Sequence, residues 1–175
     1  MKSSVSPKVA ASFALALIAG IPTVKLMEGR SLSSYFDTGG VPTICDGITR
    51  YADGKPVKLG QTRTDQECDE LLADELGKAI KSVDQSVFVH LTPEQRAGLG
   101  SFVYNVGPTA FRKSTMRTLL NQGNFALGCD QMRRWVFVKG KDCRIKANRC
   151  GGIVRRRERE REMCLDQDGV NVLTD

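Results

Sequence analysis

The pattern of apolar and polar positions separates an uncharged N-terminal run from a longer stretch of amphipathic segments. The run covers residues 9–24 (VAASFALALIAGIPTV), follows Lys2 and Lys8, and ends at Lys25. A helix of these 16 residues is about 24 Å long, which is shorter than the roughly 30 Å hydrocarbon core of a bilayer. We therefore expect a segment that engages the export machinery but that the bilayer retains only weakly.

Four interpretations of residues 1–27 are open. They are a cleaved signal peptide, a permanent anchor, a signal anchor that later leaves the membrane uncleaved, and a buried helix of the folded domain. The flanking lysines argue against the buried helix. Small residues around Ala19 and Gly20 could support cleavage, but a clear cleavage site followed by a polar mature start is not evident.

Two helices and a hairpin are predicted in the amphipathic part. A capping box at residues 64–67 (TDQE) begins the first helix. Its buried stripe is expected to consist of Leu71, Leu72, Leu76 and Ile80. Thr92 followed by Pro93 marks the start of a second helix, which extends to Tyr104. The pair at residues 39–40, two glycines followed by β-branched residues, predicts a turn that enters a strand.

Composition and charge narrow the class of protein. The 175 residues, 41% hydrophobic and 26% charged, fit one compact globular domain. The net charge of +6 favours polyanions in general. The densest charged run, residues 155–162 (RRRERERE), predicts a solvated helix on which Arg155 faces Glu158 and Arg156 faces Glu160. Because acids alternate with arginines, this run argues against a nucleic-acid-binding face.

The six cysteines indicate disulfide bonds. None lies in CxxC spacing, and the single histidine, His90, has no partner for a zinc site or for catalysis, so no metal is expected. Three disulfides place the chain in an oxidising compartment outside the cytoplasm. Many pairings are possible, and we expect Cys45–Cys68, Cys129–Cys164 and Cys143–Cys150, the last of which closes a short basic loop.

Two carboxylates follow the apolar run closely. Glu28 is predicted to end a helix that Gly29 lets the chain leave, and Asp37 precedes the glycine turn. Glycoside hydrolysis needs one protonated carboxyl group and one ionised one. Glu28, next to the apolar Leu26 and Met27, is the better candidate for the acid, because an apolar surrounding favours the protonated form. A pair of acids at this spacing is weak evidence by itself.

The wider pattern is more specific. Glu28, Asp37 and Thr43 stand in the spacing E-x8-D-x5-T, with Gly after the Glu and a Tyr shortly before the Asp, and this resembles the active-site signature of the phage-type lysozymes of glycoside hydrolase family 24. Four further stretches resemble conserved segments of that family, and they lie at residues 91–107, 111–115, 119–123 and 133–135. The resemblance runs from about residue 25 to residue 165.

This resemblance implies an α+β, lysozyme-like fold with a small β-hairpin lobe near residues 37–60, a larger helical lobe, and a substrate cleft between them. It implies inverting hydrolysis of the β-1,4 bond between N-acetylmuramic acid and N-acetylglucosamine in peptidoglycan, by a monomer without a metal or an organic cofactor. Arg156 matches an arginine that pairs with the catalytic glutamate. Asn105 is expected either to line the cleft or to serve as a turn residue, and Trp135 to be a core residue rather than a sugar platform.

One departure concerns the strand after Thr43. The family usually has glycines and a histidine there, whereas this chain has Cys45 and Ile48. The three candidate catalytic residues are unaffected. Only the local support of the hairpin is in question.

The resemblance also divides the chain. Residues 1–27 are expected to be a signal anchor, residues 28–165 the catalytic domain, and residues 166–175 a fraying tail. Because Glu28 lies only four residues past Val24, an anchored chain would hold its acid at the membrane surface and be inactive. We therefore favour the releasable anchor, which crosses the host inner membrane through residues 9–24 and then enters the periplasm, as in endolysins with signal-arrest-release segments.

Two other functions are alternatives. The first is a non-catalytic peptidoglycan-binding protein with the same fold, which the intact catalytic pattern disfavours. The second is a basic, exported nucleic-acid-binding protein, which salt-sensitive DNA binding without lytic activity would support.

Overall fold

A computed structural model describes residues 7–37 and 39–166 of the chain. Most of the predicted C-terminal tail therefore lies outside the described residues, as does Lys2. The helices are α1 (Pro7–Glu28), α2 (Asp65–Asp84), α3 (Pro93–Val106), α4 (Pro108–Arg112), α5 (Thr115–Asn121), α6 (Phe125–Asp130) and α7 (Gly151–Cys164). The strands are β1 (Ser31–Phe36), β2 (Pro42–Cys45), β3 (Phe137–Val138) and β4 (Lys141–Asp142), and short 3-10 helices cover Gln131–Arg134 and Lys146–Asn148.

Helix α1 continues without a break from the apolar run to Glu28 and packs into the fold. Its inner side contains the buried Ala16, Gly20 and Val24, and it contacts α3 and a cluster of leucine and isoleucine side chains on α2. The segment is thus a helix of the folded domain, which is the interpretation that the lysines disfavoured. By length and composition, Ala10–Glu28 could also cross a membrane. Both properties belong to one helix, because only its inner side is used in the core.

The outer side of α1 stays apolar and exposed. Leu15, Ile18 and Leu26 are 52%, 68% and 78% exposed, and they follow one another at helical spacing. A helix that served only as a core element of a globular protein would carry polar residues there. The exposed apolar side is therefore the kind of surface that a lipid bilayer could cover.

The small lobe is a hairpin, as predicted, but it begins before the expected residues 37–60, because β1 (Ser31–Phe36) precedes Asp37. Strands β1 and β2 are antiparallel, with Tyr35 opposite Thr43 and Phe36 opposite Pro42. A separate small core lies beneath them, and it is formed by Ile44, Cys45, Ile48, Val57 and Cys68. The lobe therefore has its own apolar contacts and a disulfide to α2.

Helix α3 is the centre of the helical lobe and packs against α1, α2 and α7. The predicted capping box is present at Thr64 with Glu67 before α2, and Thr92, which was predicted only as the N-cap of α3, also forms a capping box, with Gln95. Gly98 of α3 lets α7 approach closely, since an added Cβ would lie 2.8 Å from the carbonyl oxygen of Glu160.

Helix α7 differs from the expectation of a solvated, self-paired helix. The predicted pairing of Arg156 with Glu160 is confirmed, but both side chains are buried, as is Arg157. On the outer side, Glu158 pairs with Arg133 instead of a neighbour on α7. The prediction of a fully solvated α7 is wrong, because it used only the alternation of charge. A helix with alternating charges can still bury one face when a surface of small residues, such as that of α3, packs against it.

The three disulfides have the expected pairing. Cys45–Cys68 joins the hairpin lobe to α2, Cys129–Cys164 joins α6 to α7, and Cys143–Cys150 closes the loop before α7. Cross-links of this kind stabilise a fold by about 2 to 4 kcal/mol each, largely through the unfolded chain.

Candidate active site

Glu28 is the last residue of α1, and the left-handed Gly29 (φ 71°) turns the chain directly into β1. Its carboxylate forms an ion pair with Arg156 of α7, which is 128 positions away in the sequence. The prediction of an apolar surrounding for Glu28 is wrong for Leu26, which points to solvent and does not cover the acid. The neighbour of Glu28 is a buried cation.

Arg156 is held by a buried polar network. Its Nε donates to Oε1 of Glu160 at 2.9 Å, and the hydroxyl of Ser101 donates to the same oxygen at 2.8 Å. Burial by itself lowers the pKa of Arg156, but the charges of Glu160 and Glu28 outweigh burial and raise it. The guanidinium is therefore a permanent charge that fixes the position of Glu28.

Arg157 completes the network on the other side of Glu160. It contacts the second carboxylate oxygen of Glu160, the side-chain oxygen of Asn105, and the carbonyl oxygen of Trp135 at 3.2 Å. Burial lowers its pKa, although the Glu160 carboxylate opposes this effect. The guanidinium also lies 4.9 Å from the ring centroid of Phe102. The buried carboxylate of Glu160 is thus the common counter-ion of two neighbouring buried arginines, Arg156 and Arg157.

Asp37 begins the turn between β1 and β2. Its Oδ1 accepts the backbone N–H groups of Gly39 at 2.7 Å and Val41 at 2.8 Å, and its own N–H donates to the carbonyl of Val41 at 3.0 Å. The position of Asp37 is therefore set within five residues of sequence.

Thr43 lies on β2 and is 2% exposed. Its hydroxyl donates to the carbonyl oxygen of Val41 at 2.9 Å. Since the proton is used in this way, the lone pairs of the hydroxyl remain to accept a hydrogen bond from a water molecule. Thr43 and Asp37 thus share Val41 as a backbone partner.

Tyr35 belongs to the active-site signature of the sequence, but no role was predicted for it. Burial raises the pKa of its hydroxyl, and the charges of Glu28 and Asp37 raise it further. The phenol therefore lies within the electrostatic reach of both candidate carboxylates. The alternation of a strand could have pointed to it, since residues two positions apart lie on one face.

A brace supports the end of the hairpin where the family pattern is altered. Asp46 is fully buried and pairs with Arg30 at 2.7 Å, and this contact raises the pKa of Arg30 despite its burial. The hydroxyl of Tyr104 donates to the carbonyl oxygen of Asp46 at 2.6 Å. These contacts and the disulfide at Cys45 hold the end of β2 in place, where Cys45 and Ile48 depart from the family pattern.

A cleft of about 460 Å³ lies between the two lobes. Its walls come from residues 47–50 of the small lobe, from Glu75 and Lys78 of α2, and from Tyr104 of α3. Glu28, Asp37 and Thr43 are not among the residues that line it. Gly47, which does line it, lies next to the candidate acid, because an added Cβ there would be 3.6 Å from Oε2 of Glu28.

Asn105 and Trp135 border a second opening of about 450 Å³. Asn105 is exposed at the end of α3 and uses its side-chain oxygen for Arg157. Trp135 is half-buried and meets the ring of Phe102 edge-on at 5.4 Å, as expected for a core residue. The structure does not bring Asn105 into contact with Glu28.

Metal ligands are a separate question. His90 is exposed, and across residues 7–37 and 39–166 no three His, Cys, Asp or Glu side chains are grouped so as to hold an ion.

A helical lobe, a small hairpin lobe and a cleft beside a helix-terminal glutamate define a lysozyme-type fold. The solved endolysin from Escherichia coli O157:H7 phage FAHEc1 has this fold, with a TM-score of 0.73 and 34% identity over 85% of this chain and 91% of that chain. A P22 lysozyme mutant gives a TM-score of 0.71 at 34% identity, covering 84% of this chain and 95% of that chain.

The chain belongs to the phage lysozyme family, which matches residues 25–160. The SAR-endolysin of Escherichia phage 933W is 41% identical over 134 residues, 76% of this chain and 75% of that relative. The SAR-endolysin of Enterobacteria phage PA-2 is 39% identical over 156 residues, 89% of this chain and 88% of that relative. The chain is therefore a lysozyme, a peptidoglycan-degrading enzyme of the endolysin type.

Proposed function

We propose that the enzyme hydrolyses the β-1,4 bond between N-acetylmuramic acid and N-acetylglucosamine and thereby lyses the host cell for phage release. The observation that carries this proposal is the placement of Glu28 beside the inter-lobe cleft, held by a buried arginine, while Asp37 and Thr43 are fixed on the adjoining hairpin. Two carboxyl groups are what glycoside hydrolysis requires, and the hydroxyl of Thr43 can in addition hold the attacking water.

Each residue has a distinct role in this proposal. Glu28 gives its proton to the leaving glycosidic oxygen. Asp37, whose carboxylate is held in place by the hydrogen bonds of its turn, assists the attacking water or supports the cationic transition state, and Thr43 positions that water. Attack from the face opposite the leaving group gives inversion at the anomeric carbon. Arg156 supports the site from the helical lobe by holding Glu28, and Asn105 supports it only indirectly, through its contact with Arg157.

The test is the release of reducing sugar from purified peptidoglycan by the oxidised full chain, without detergent. Glu28→Gln and Asp37→Asn should each lower the rate by two orders of magnitude or more, on the order of the contribution of general acid–base catalysis. Glu70→Gln, an exposed acid on α2, is the matched control and should keep the parental rate. Mass spectrometry of the new reducing ends identifies the bond, and the anomer formed first identifies the stereochemistry.

The alternative, a non-catalytic peptidoglycan-binding protein, makes a different prediction. If the parent and both variants bind peptidoglycan and release no sugar, the catalytic assignment fails and the binding protein replaces it. If N-acetylglucosamine is found at the new reducing ends, the enzyme cleaves another bond and the proposed specificity is wrong.

We also propose that residues 1–27 act as a releasable anchor. The host export machinery inserts residues 9–24 into the inner membrane, and α1 later leaves the bilayer, packs against α2 and α3, and brings Glu28 to the site of a monomeric periplasmic enzyme. Three observations support this: the exposed apolar side of α1, its buried side, and the disulfides that need an oxidising compartment.

The two sides of α1 allow a sharp test. Ala11 and Ala14 are exposed in the fold, so replacing both by leucine makes the segment more apolar without disturbing the core. Ala11→Leu/Ala14→Leu should retain the activity of the refolded enzyme, but should increase the fraction in the host membrane and delay lysis. Ala11→Ser/Ala14→Ser is the control and should shift both readouts the other way. Equal membrane fractions and equal lysis times would contradict release as the controlling step.

A further inference from the structure

The segment from Phe137 to Cys150, here called the basic loop, lies outside the candidate site and has no role in the proposed hydrolysis. Its sequence, FVKGKDCRIKANRC, contains five basic residues and one acid. This is a denser positive charge than the alternating run on α7, where acids balance the arginines. The loop therefore forms a cationic surface of its own.

The loop has a fixed shape. Strands β3 and β4 pair as a short hairpin, with Val138 opposite Lys141. The disulfide Cys143–Cys150 closes the rest of the loop, and the amide of Asn148 donates to the carbonyl oxygen of Asp142 at 2.7 Å. A surface that is ordered in advance loses less conformational entropy when it binds a partner.

Much of the positive charge on the loop is not neutralised. Asp142, its single acid, pairs with Arg144 at 2.6 Å. The side chains of Lys141, Lys146 and Arg149 are exposed, and none of them forms an ion pair with any residue that the structure describes. Exposed basic side chains without acidic neighbours attract anions.

Apolar side chains accompany these cations. Phe137 and Ile145 are each 55% exposed, and Val138 is 38% exposed. The guanidinium of Arg144 lies 5.7 Å from the ring centroid of Phe137, so charge and apolar surface are adjacent. A purely ionic partner, such as a soluble polyanion, would leave these side chains in water.

We propose that the basic loop binds the surface of an anionic phospholipid membrane, with its cations at the headgroups and Ile145 and Phe137 in the interface. A lipid surface supplies both negative charge and apolar depth, which matches the two kinds of exposed side chain. This inference rests on the proposed releasable anchor, which brings the chain to such a surface; by length and composition, α1 could cross a membrane. The contact keeps the folded enzyme at the membrane after α1 has packed into the core.

The test measures binding of the oxidised full chain to phosphatidylcholine vesicles with and without phosphatidylglycerol. Because α1 can interact with both vesicles, the readout is the ratio of the two affinities. Lys141→Gln/Lys146→Gln/Arg149→Gln should lower this ratio by roughly fivefold per cation, on the order of a hundredfold in all. The matched control, Lys58→Gln/Arg112→Gln/Lys113→Gln, removes three exposed cations elsewhere and should change it little.

A second variant separates a lipid surface from other anionic partners. Ile145→Ser keeps every charge, and it should weaken binding to phosphatidylglycerol vesicles while leaving binding to soluble polyglutamate unchanged. Release of sugar from peptidoglycan serves as the check on folding and should be equal in all variants. If the control triple variant lowers the ratio as much as the loop triple variant, or if Ile145→Ser binds the vesicles like the parent, the proposal is overturned.

Discussion

Glu28 and Asp37 are held in position by different kinds of contact. Asp37 is fixed by backbone N–H groups of its own turn, at Gly39 and Val41. Glu28 is fixed by a buried arginine 128 positions away, which is itself held by Glu160 and Ser101. One carboxylate depends on local geometry, and the other depends on the assembly of three helices.

The difference has a consequence for control of the enzyme. A hairpin with its own small core, a disulfide and an Asp46–Arg30 brace can keep Asp37 and Thr43 in place whether or not α1 is packed. Glu28 reaches its partner only when α1 lies against α2 and α3. Withdrawal of α1 would thus remove one catalytic group and leave the other in place.

Arg156→Ala should cause the largest loss in the free energy of unfolding. Removing this buried cation leaves Glu28 without its partner and Glu160 with one arginine, which should cost about 3 to 5 kcal/mol and most of the activity. Urea unfolding and sugar release measure both effects, and Arg156→Lys should recover only part of each, because the ammonium lacks the planar fork. A stable, active Arg156→Ala enzyme would refute the long-range support of Glu28.

Glu160→Gln comes second, with an expected loss of about 3 kcal/mol, because two buried arginines then lack their common counter-ion. Urea unfolding measures this loss, and the rate of sugar release should fall with it because Arg156 is then held less firmly beside Glu28. A parental free energy of unfolding in Glu160→Gln would show that Glu160 does not hold the two arginines in place.

Asp69→Asn should have a smaller effect, below about 1 kcal/mol, because the ion pairs that Asp69 makes with Lys25 and Arg30 are partly exposed. Hydrogen bonds from Lys25 and Arg30 lower the pKa of Asp69. A carboxyl group with a depressed pKa in the folded state stabilises the fold above its unfolded-state pKa, near 4. That stability is lost as the pH falls through the folded-state pKa. Melting curves of parent and variant should differ at neutral pH and converge in acid.

Asp37→Asn should have the smallest effect on stability. The amide oxygen of an asparagine can still accept the two turn N–H groups, so we expect a change below about 1 kcal/mol although the activity is lost. Asp37→Ala, which removes the acceptor, should be less stable than Asp37→Asn in thermal unfolding. Equal destabilisation by both would indicate that the charge of Asp37 is structural.

The features that the sequence predicted correctly are local or carried by a motif. The capping box at Thr64, the N-cap at Thr92 and the hairpin turn after Asp37 depend on contacts within a few residues. The contact between Arg156 and Glu28 was expected from the family pattern, and no periodicity would have revealed it. The disulfide Cys143–Cys150 could be predicted because the two cysteines are only 7 positions apart in the sequence.

What the sequence could not supply was the way distant surfaces meet. The burial of Glu160 depends on Ser101 and the small Gly98 of α3, which lie some 60 positions earlier. Which side of the uniformly apolar α1 is buried could not be predicted from its own sequence, because it depends on the packing of α1 against α2. The pKa of Tyr35 is raised by burial and by the charges of two carboxylates that only the folded chain brings near it.

The most direct test of the account compares two leucine substitutions on α1. Gly20 faces the core, where an added Cβ would lie 3.0 Å from Cδ2 of Leu76, whereas Ile18 is 68% exposed. Gly20→Leu should push α1 away from α2 and lower the rate of sugar release at least tenfold in a chain that remains soluble and helical, and Ile18→Leu should keep the parental rate. Equal rates for the two variants would show that packing of α1 does not place Glu28, and would contradict the account.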